Sequence, residues 1–273
     1  MSKIKLFSLT ALLLAGSAHA HTRWILPTHF NVSAEEGKKN VWIMADVTAS
    51  NETFHVDKPM GSDNLSILKP NGKSSRADSS FRGHRKSVVD INLTENGTYK
   101  MFIAGDTRYV TSYKMPGSDK AKRMRDVNKA NRDQRLPKGA TDVKTMAASS
   151  QVMTFITLNQ PTDNFGIKKQ GLELMPITHP SDIAQNEETT LQFLFDGKPQ
   201  ANVSIEIIKD GSRYRNDAGV QTFKTDKSGN VTFTLAEAGR YILVAKHRAK
   251  AKNNPLAEMV SGQIFLTFEA VLN

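Results

Sequence analysis

Short alternating segments separated by turns constrain the fold of this chain more than any other feature. Five such segments in the first half have strand length and β-favouring side chains: "NVWIMADV" (40–47), "NLSILKP" (64–70), "SVVDINL" (87–93), "GTYKMFIA" (97–104) and "RYVTSYK" (108–114). The turns "PNG" (70–72) and "ENG" (95–97) lie between them and supply the backbone angles that hairpins need. The first half is therefore predicted to be an antiparallel β domain.

The second half repeats this pattern with clearer turns. "TTLQFLF" (189–195) runs into an Asp-Gly turn, and Val203, Ile205 and Ile207 then alternate with polar neighbours. Three further segments, "VTFTL" (231–235), "RYILVAKH" (240–247) and "GQIFLTFEAVL" (262–272), follow at similar spacing. Strands at this spacing indicate a β-sandwich. The predicted fold is all-β, with two β-sandwich domains.

Two stretches of the second half resemble a known module. "DGKPQANVSIEI" (196–207) and "TDKSGNVTFTLAEAGRYILVA" (225–245) are similar to the transthyretin-like or carboxypeptidase-regulatory-like sandwich. The resemblance implies an Ig-like or transthyretin-like domain, and such a fold supplies no activity by itself. We expect a first sandwich over residues 21–168 and a second over 171–273.

The N-terminus has the pattern of a secretory signal. Lys3 and Lys5 precede an uncharged, mostly apolar run, and Ala18-His19-Ala20 offers small residues at the positions that a signal peptidase reads. The apolar run is shorter than the roughly 20 residues that cross a bilayer. The sequence therefore predicts a periplasmic protein that is cleaved after Ala20, begins at His21 and has no transmembrane segment.

Composition narrows the chemistry. There are no cysteines, which removes thiolates as nucleophiles or metal ligands. Removal of residues 1–20 takes away two lysines and no acids, so the formal net charge falls from +10 to +8. In an exported chain this charge favours solubility or anionic envelope surfaces, and no nucleic-acid partner is expected.

A basic segment separates the two halves. "GSDKAKRMRDVNKANRDQRLPKG" (117–139) holds eight basic and three acidic residues. Ser118 could cap a helix, and Pro137 and Gly139 would end it. Its narrow apolar line would consist of Ala121, Met124, Val127 and Ala130. The pattern predicts a solvated helical insertion near 118–135 that lies across one sandwich, with docking on an acidic partner or a membrane surface as the alternative.

Standard catalytic motifs are missing from the sequence. It contains no H-x-x-x-H pair, no G-x-S-x-G elbow and no Gly-rich phosphate loop, so no enzyme activity is predicted. His21 has a different potential, because a free α-amine and an imidazole on one residue can chelate a metal ion. One or two further imidazoles would complete a site suited to copper or nickel.

The other histidines differ in their prospects as ligands. His29 could fold back towards His21, His55 lies between Glu52 and Asp57, and His179 could bridge the two domains. Each of the three is equally open to an ordinary structural or surface role. His84 and His247 have basic neighbours that disfavour a metal ion. The predicted ligands are His21, His29, His55 and His179.

The whole mature chain resembles one family of exported bacterial proteins. "AHAHTRWILP" (18–27), "GTYKMFIA", "GLELMPITHP" (171–180) and the second sandwich are similar to DUF4198 proteins, with His21, Trp24 and Pro27 at matching positions. Members of the family are often described as periplasmic components of nickel or cobalt uptake. The resemblance implies a divalent metal ion and a metal transporter or outer-membrane receptor component as partner.

Three functions remain open at this point. The first is a periplasmic protein that binds nickel, cobalt or copper, or assists its uptake, through His21. The second is a metal-free envelope adaptor that binds protein or glycan. The third is a copper oxidase that acts on polysaccharide through a histidine brace, which would need a second brace histidine.

Overall fold

The computed structural model describes residues 21–35 and 40–273, which form strands joined by turns. The predicted signal peptide, residues 1–20, lies outside the described residues. The strands are β1 (Thr22–Pro27), β2 (Asn31–Val32), β3 (Val41–Ser50), β4 (Lys58–Pro59), β5 (Ser66–Leu68), β6 (Ser74–Ser75), β7 (Ser79–Arg82), β8 (Ser87–Leu93), β9 (Gly97–Ala104), β10 (Arg108–Lys114), β11 (Lys122–Arg125), β12 (Thr141–Leu158), β13 (Leu172–Pro176), β14 (Glu188–Phe195), β15 (Lys198–Pro199), β16 (Ser204–Lys209), β17 (Gln221–Lys224), β18 (Asn230–Thr234), β19 (Gly239–Lys250) and β20 (Met259–Ala270). Two 3₁₀ turns, Pro180–Asp182 and Ser212–Tyr214, are the helical elements of the described residues. The all-β prediction is confirmed.

Three sheets contain these strands. A central sheet of eleven strands has the order β17-β16-β19-β20-β12-β9-β5-β6, with β2, β10 and β11 attached at its side. An N-terminal sheet has the order β1-β3-β8-β7, with β4 beside β3. A C-terminal sheet joins β13, β14 and β15, and β18 pairs with β14.

One parallel pair joins the two halves of the chain. Strand β12 runs alongside β20, with partners from Met146–Met259 to Thr154–Thr267. The central sheet therefore contains strands from both sides of the expected division at 168–171, which itself falls between β12 and β13. The division into two domains at residues 168–171 therefore stays a prediction.

The central sheet is buried on both faces. Val152 and Ile156 of β12 belong to a core that also contains residues of β1, β3 and β8. Met153 and Phe155 point the other way, into a core shared with β13, β14 and β18. Because side chains alternate along a strand, a strand covered on both faces is apolar at odd and even positions alike. This explains the continuous apolar runs in β12, β19 and β20.

The predicted helix near 118–135 is wrong. Residues Lys122–Arg125 form β11, which pairs antiparallel with β10 from Val110–Arg125 to Tyr113–Lys122. Val127 is fully buried behind it, and its carbonyl accepts a hydrogen bond of 2.8 Å from Thr111 Oγ1. The edge of β10 supplies backbone partners to the segment, and this pairing outweighs a helical pattern with so narrow an apolar line.

Candidate functional site

A cleft of about 990 Å³ is lined by residues of the central sheet and of the segments beside it. Its volume is at the upper end of the usual range for small-molecule sites, about 300–1,000 Å³. The lining residues come mainly from strands β16, β19 and β20, from the segment after β3 and from the second 3₁₀ turn. The lining includes Thr22, Asn51, Glu52, Thr53, Ser204, Glu206, Ile208, Ser212, Arg213, Arg215, Val244, Lys246, Arg248, Ser261, Gln263 and Phe265.

Basic side chains outnumber acidic ones in this lining. Arg215 is held in place because its guanidinium donates to the backbone carbonyls of Lys209, Asp210 and Ala218. Lys246 pairs with Glu206 at 2.9 Å. Arg248 is exposed and forms no ion pair with the described residues. The cleft therefore carries a net positive charge.

A further arginine, Arg23, contacts Phe265, one of the residues that line the cleft. The guanidinium of Arg23, on β1, stands 4.8 Å from the centre of the Phe265 ring. Burial lowers the pKa of Arg23, and the nearby charge of Arg108 lowers it further. Within the described part of the chain, Arg23 has no acidic partner and donates no side-chain hydrogen bond. Arg108 also forms no ion pair with an acidic side chain of the described residues.

His21 lies at the rim of the cleft, directly before Thr22. Residue Ala49 of β3 pairs with Arg23 on one side and with Lys58 on the other, which brings Lys58 near the start of β1. The Nε2 atom of His21 lies 3.0 Å from Lys58 Nζ. An ammonium group can only donate, so Nε2 is the acceptor and the imidazole is neutral in this contact.

His55 makes a matching contact with a residue that lines the cleft. Its Nδ1 atom lies 2.7 Å from Nη1 of Arg213. A guanidinium also only donates, so Nδ1 carries the lone pair. His55 therefore connects the segment after β3 with the 3₁₀ turn that holds Arg213. Of the predicted ligands, His21 precedes Thr22 and His55 contacts Arg213, and both Thr22 and Arg213 line the cleft.

The structure places the other two predicted ligands elsewhere. His29 follows the far end of β1, and a strand of that length separates it from His21 by roughly 20 Å. His179 is buried, with Nε2 at 3.0 Å from Thr98 Oγ1 and Nδ1 accepting from the Ser181 amide at 3.1 Å. Both of its nitrogens are occupied, and it links β9 to the first 3₁₀ turn.

The described residues contain no cluster of three or more His, Asp or Glu side chains that could hold a metal ion. His247 is buried, and burial lowers its pKa. Its ring centre lies 4.9 Å from that of Phe195. His84 is exposed on the loop between β7 and β8.

A family model of the type "Domain of unknown function (DUF4198)" matches residues 18–249. The chain belongs to the DUF4198 family. No curated protein matches it in sequence. No helix in the described residues of this DUF4198 protein is long and apolar enough to cross a membrane.

Several solved structures are similar to this DUF4198 protein. The D0-D1 domain of Intimin shares 12% identity over 89% of this chain and 96% of that chain, with a TM-score of 0.20. The FN1-FN3 domains of chicken CNTN1 share 9% over 92% and 100%, with a TM-score of 0.23. The two tandem V-type regions of VCBP3, a v-region-containing chitin binding protein, share 9% over 90% and 99%, with a TM-score of 0.21. At these values the likenesses carry no argument about function.

The sequence did not single out the arginines of the cleft. Arg23 is an isolated basic residue within β1, and Arg213 and Arg215 belong to the short motif "GSRYR" (211–215). Gly211 begins that turn with a φ of 79°, a conformation that favours glycine. In the sequence, this part of the cleft is indicated locally by a glycine that is followed by two closely spaced arginines between two strands.

Proposed function

We propose that this DUF4198 protein binds one divalent transition-metal ion (nickel, cobalt or copper) in the periplasm and assists its uptake. His21, at the cleaved N-terminus, is the central ligand, and His55 is the second. The observation that supports this proposal is the hydrogen bonding of the two imidazoles. Each has one ring nitrogen that accepts a hydrogen bond from a cationic group at the rim of one cleft.

A metal ion needs the same lone pairs. Imidazole coordinates only when the ligating nitrogen carries no proton. Lys58 and Arg213 are exposed, and their long side chains can turn away when a metal ion takes their place. Withdrawal of these cations is part of the free-energy cost of metal binding.

The donor atoms suit late first-row metals. Cleavage after Ala20 leaves a free amine on His21, so one residue supplies two nitrogens and His55 supplies a third. Nitrogen donors favour nickel, copper and cobalt over magnesium or calcium. A metal transporter or an outer-membrane receptor component is the proposed partner, in line with the descriptions of the family.

The test compares chains that begin at His21 with altered forms. Ni²⁺, Co²⁺ and Cu²⁺ are titrated calorimetrically into the wild type, His21→Ala, His55→Ala and a chain with one extra residue before His21. Each change is expected to weaken binding by about 10- to 100-fold or more. His84→Ala is the matched control, since His84 is exposed and its neighbours are basic. Equal affinity in all forms would exclude His21 and His55 as ligands.

A second function is favoured by a different surface. Trp42 and Phe81, 58% and 71% exposed, lie on strands that flank β8 in the N-terminal sheet, and Met44 is 44% exposed beside them. Exposed aromatic side chains on a sheet are typical of protein or glycan docking sites. If no metal binds to any of the chains above, a metal-free envelope adaptor becomes the leading proposal.

A further inference from the structure

We propose that a second pocket of this protein, the Lys100 pocket, binds a small hydroxylated monocarboxylate of the sugar-acid class. The Lys100 pocket has a volume of about 260 Å³ and is lined mainly by residues of β9, of β12 and of the segment before β13. Among the described residues it shares no lining residue with the cleft. The proposal therefore does not depend on a metal ion at His21.

Lys100 is the strongest indication of an anionic ligand. It lines the pocket although it is only 6% exposed, and its ammonium donates to the Phe165 carbonyl at 3.0 Å. No carboxylate of the described residues forms an ion pair with it. An ammonium has three donors, and a buried lysine is normally paired because an unpaired charge is costly to remove from water. A carboxylate in the pocket would pair with this charge.

Lys168 adds a second positive charge to the same region of the pocket. The Nζ atoms of Lys100 and Lys168 lie 5.5 and 5.7 Å from the centre of the Phe102 ring. All three residues line the pocket. The two ammonium groups are therefore gathered around one aromatic ring, and a carboxylate near that ring would be attracted to both.

The charges of the lining match a ligand with a single negative charge. Among the described residues that line the pocket, two lysines and one acid, Glu173, are charged, so the formal net charge is +1. The two carboxylate oxygens of Glu173 accept hydrogen bonds from the backbone amides of Lys168 and Gln170, at 2.6 and 3.1 Å. A monocarboxylate would make the lining neutral, whereas a dianion would leave an excess negative charge in a partly buried site.

The neutral part of the lining favours hydroxyl groups and a single ring on this ligand. Four hydroxyl side chains line the pocket: Ser74, Thr107, Ser149 and Ser150. A hydroxyl group both donates and accepts, so it can pair with a sugar hydroxyl in either direction. Phe102 and Leu68 offer an apolar surface to the ring. The volume is just below the usual range for small-molecule sites, about 300–1,000 Å³, which suits a ligand of one ring.

Glucuronate and glucose form a matched pair of probes, because they differ at one carbon, which is a carboxylate in glucuronate and a hydroxymethyl group in glucose. Cyclohexanecarboxylate keeps a ring and the charge but lacks the hydroxyl groups. Protein freed of metal on a chelating resin is titrated calorimetrically with these three compounds and with inorganic phosphate. We expect glucuronate to bind about 10-fold more tightly than each of the others. Absence of glucuronate binding, or equal affinity for any of the other three, would overturn the proposal.

Variants locate the binding within the pocket. Lys100→Met and Lys168→Gln are each expected to weaken glucuronate binding roughly 10-fold or more, as for loss of a hydrogen bond to a charged group. Lys169→Gln is the matched control, since it removes the same charge from an exposed neighbour that does not line the pocket. Lys168 is exposed, so its variant tests the proposal even if Lys100→Met fails to fold. Unchanged affinity in Lys168→Gln, or an equal loss in Lys169→Gln, would contradict it.

Protonation of Lys100 gives a readout that a purely structural role would not change. Burial lowers the pKa of Lys100 to about 8, the charge of Glu173 opposes this shift and that of Lys168 adds to it. A bound carboxylate favours the charged ammonium and raises this pKa, so binding at about pH 8.5 should take up part of a proton. Calorimetry in two buffers of different ionisation enthalpy measures the uptake, which should disappear in Lys100→Met and remain in Lys169→Gln. Binding without proton uptake by the wild type would remove Lys100 from the site.

Discussion

Nη1 of Arg132 lies 2.7 Å from Oε1 of Glu258 and connects the basic insertion to the segment before β20. The second carboxylate oxygen of Glu258 accepts a hydrogen bond of 2.8 Å from the Thr145 amide of β12. Burial raises the pKa of Glu258, but the hydrogen bonds from Thr145 and Arg132, together with the charge of Arg132, lower it overall. One carboxylate therefore holds three parts of the chain together.

We expect Glu258→Gln to lower the free energy of unfolding by about 1 kcal/mol at pH 7, after allowance for screening by solvent. A carboxyl whose pKa is lowered on folding stabilises the protein above its ordinary pKa, and that contribution is lost as the pH falls through the folded-state pKa. The difference between wild type and variant in urea unfolding should therefore shrink in acid. Glu187→Gln, on an exposed turn, is the control and should leave stability unchanged at both pH values.

Lys100 provides a test at alkaline pH. Its ammonium donates to the Phe165 carbonyl at 3.0 Å, and burial lowers its pKa to about 8 although Glu173 opposes the shift. Between pH 8 and the ordinary lysine pKa, the unfolded chain binds more protons than the folded one, so stability rises with pH. The rise amounts to at most about 3 kcal/mol.

The measurement is the free energy of unfolding from pH 7 to 10.5 for wild type and Lys100→Met. The stability of the wild type relative to the variant should increase over this range. Lys198→Met, at an exposed lysine of β15, should run parallel to the wild type. Parallel curves for Lys100→Met would show that Lys100 titrates as an ordinary lysine.

Local pattern predicted the strands that face solvent on one side. In β8, "SVVDINL" alternates buried and half-buried positions throughout, as the sequence indicated. Strand β12 was harder to predict, because it is 18 residues long and its second half is buried on both faces. A pattern of period two is lost where both faces are apolar.

The cleft could not be predicted for a related reason. Arg213 and Arg248 are separated in sequence, and both line the cleft because β16, β19 and β20 are neighbours in the central sheet. No local spacing encodes this arrangement. The sequence singled out His21 through the predicted cleavage site, whereas the position of its neighbour Lys58 depends on the pairing of β4 with β3.

Gly262 of β20 is expected to tolerate no side chain. A Cβ at this position would lie 2.5 Å from Leu172 Cβ, at the start of the C-terminal sheet. We expect Gly262→Ala to cost about 1–3 kcal/mol through overpacking. Gly105→Ala is the matched control, since its Cβ would meet only atoms at 3.8 Å or beyond. Thermal unfolding of both variants checks this, and equal melting temperatures would mean that Leu172 moves aside freely.

His247 is expected to make the protein less stable in mild acid. It is buried beside Phe195, and burial lowers its pKa below the ordinary histidine value of 6.5. As the pH falls through that ordinary value, the unfolded chain takes up a proton that the folded chain does not, so folding becomes less favourable. In His247→Phe the ring contact with Phe195 remains but the titration is gone. Urea unfolding between pH 7 and 5 should therefore show a smaller loss of stability in His247→Phe than in the wild type, whereas His84→Ala should follow the wild type. An equal loss in all three would assign the acid sensitivity to other groups.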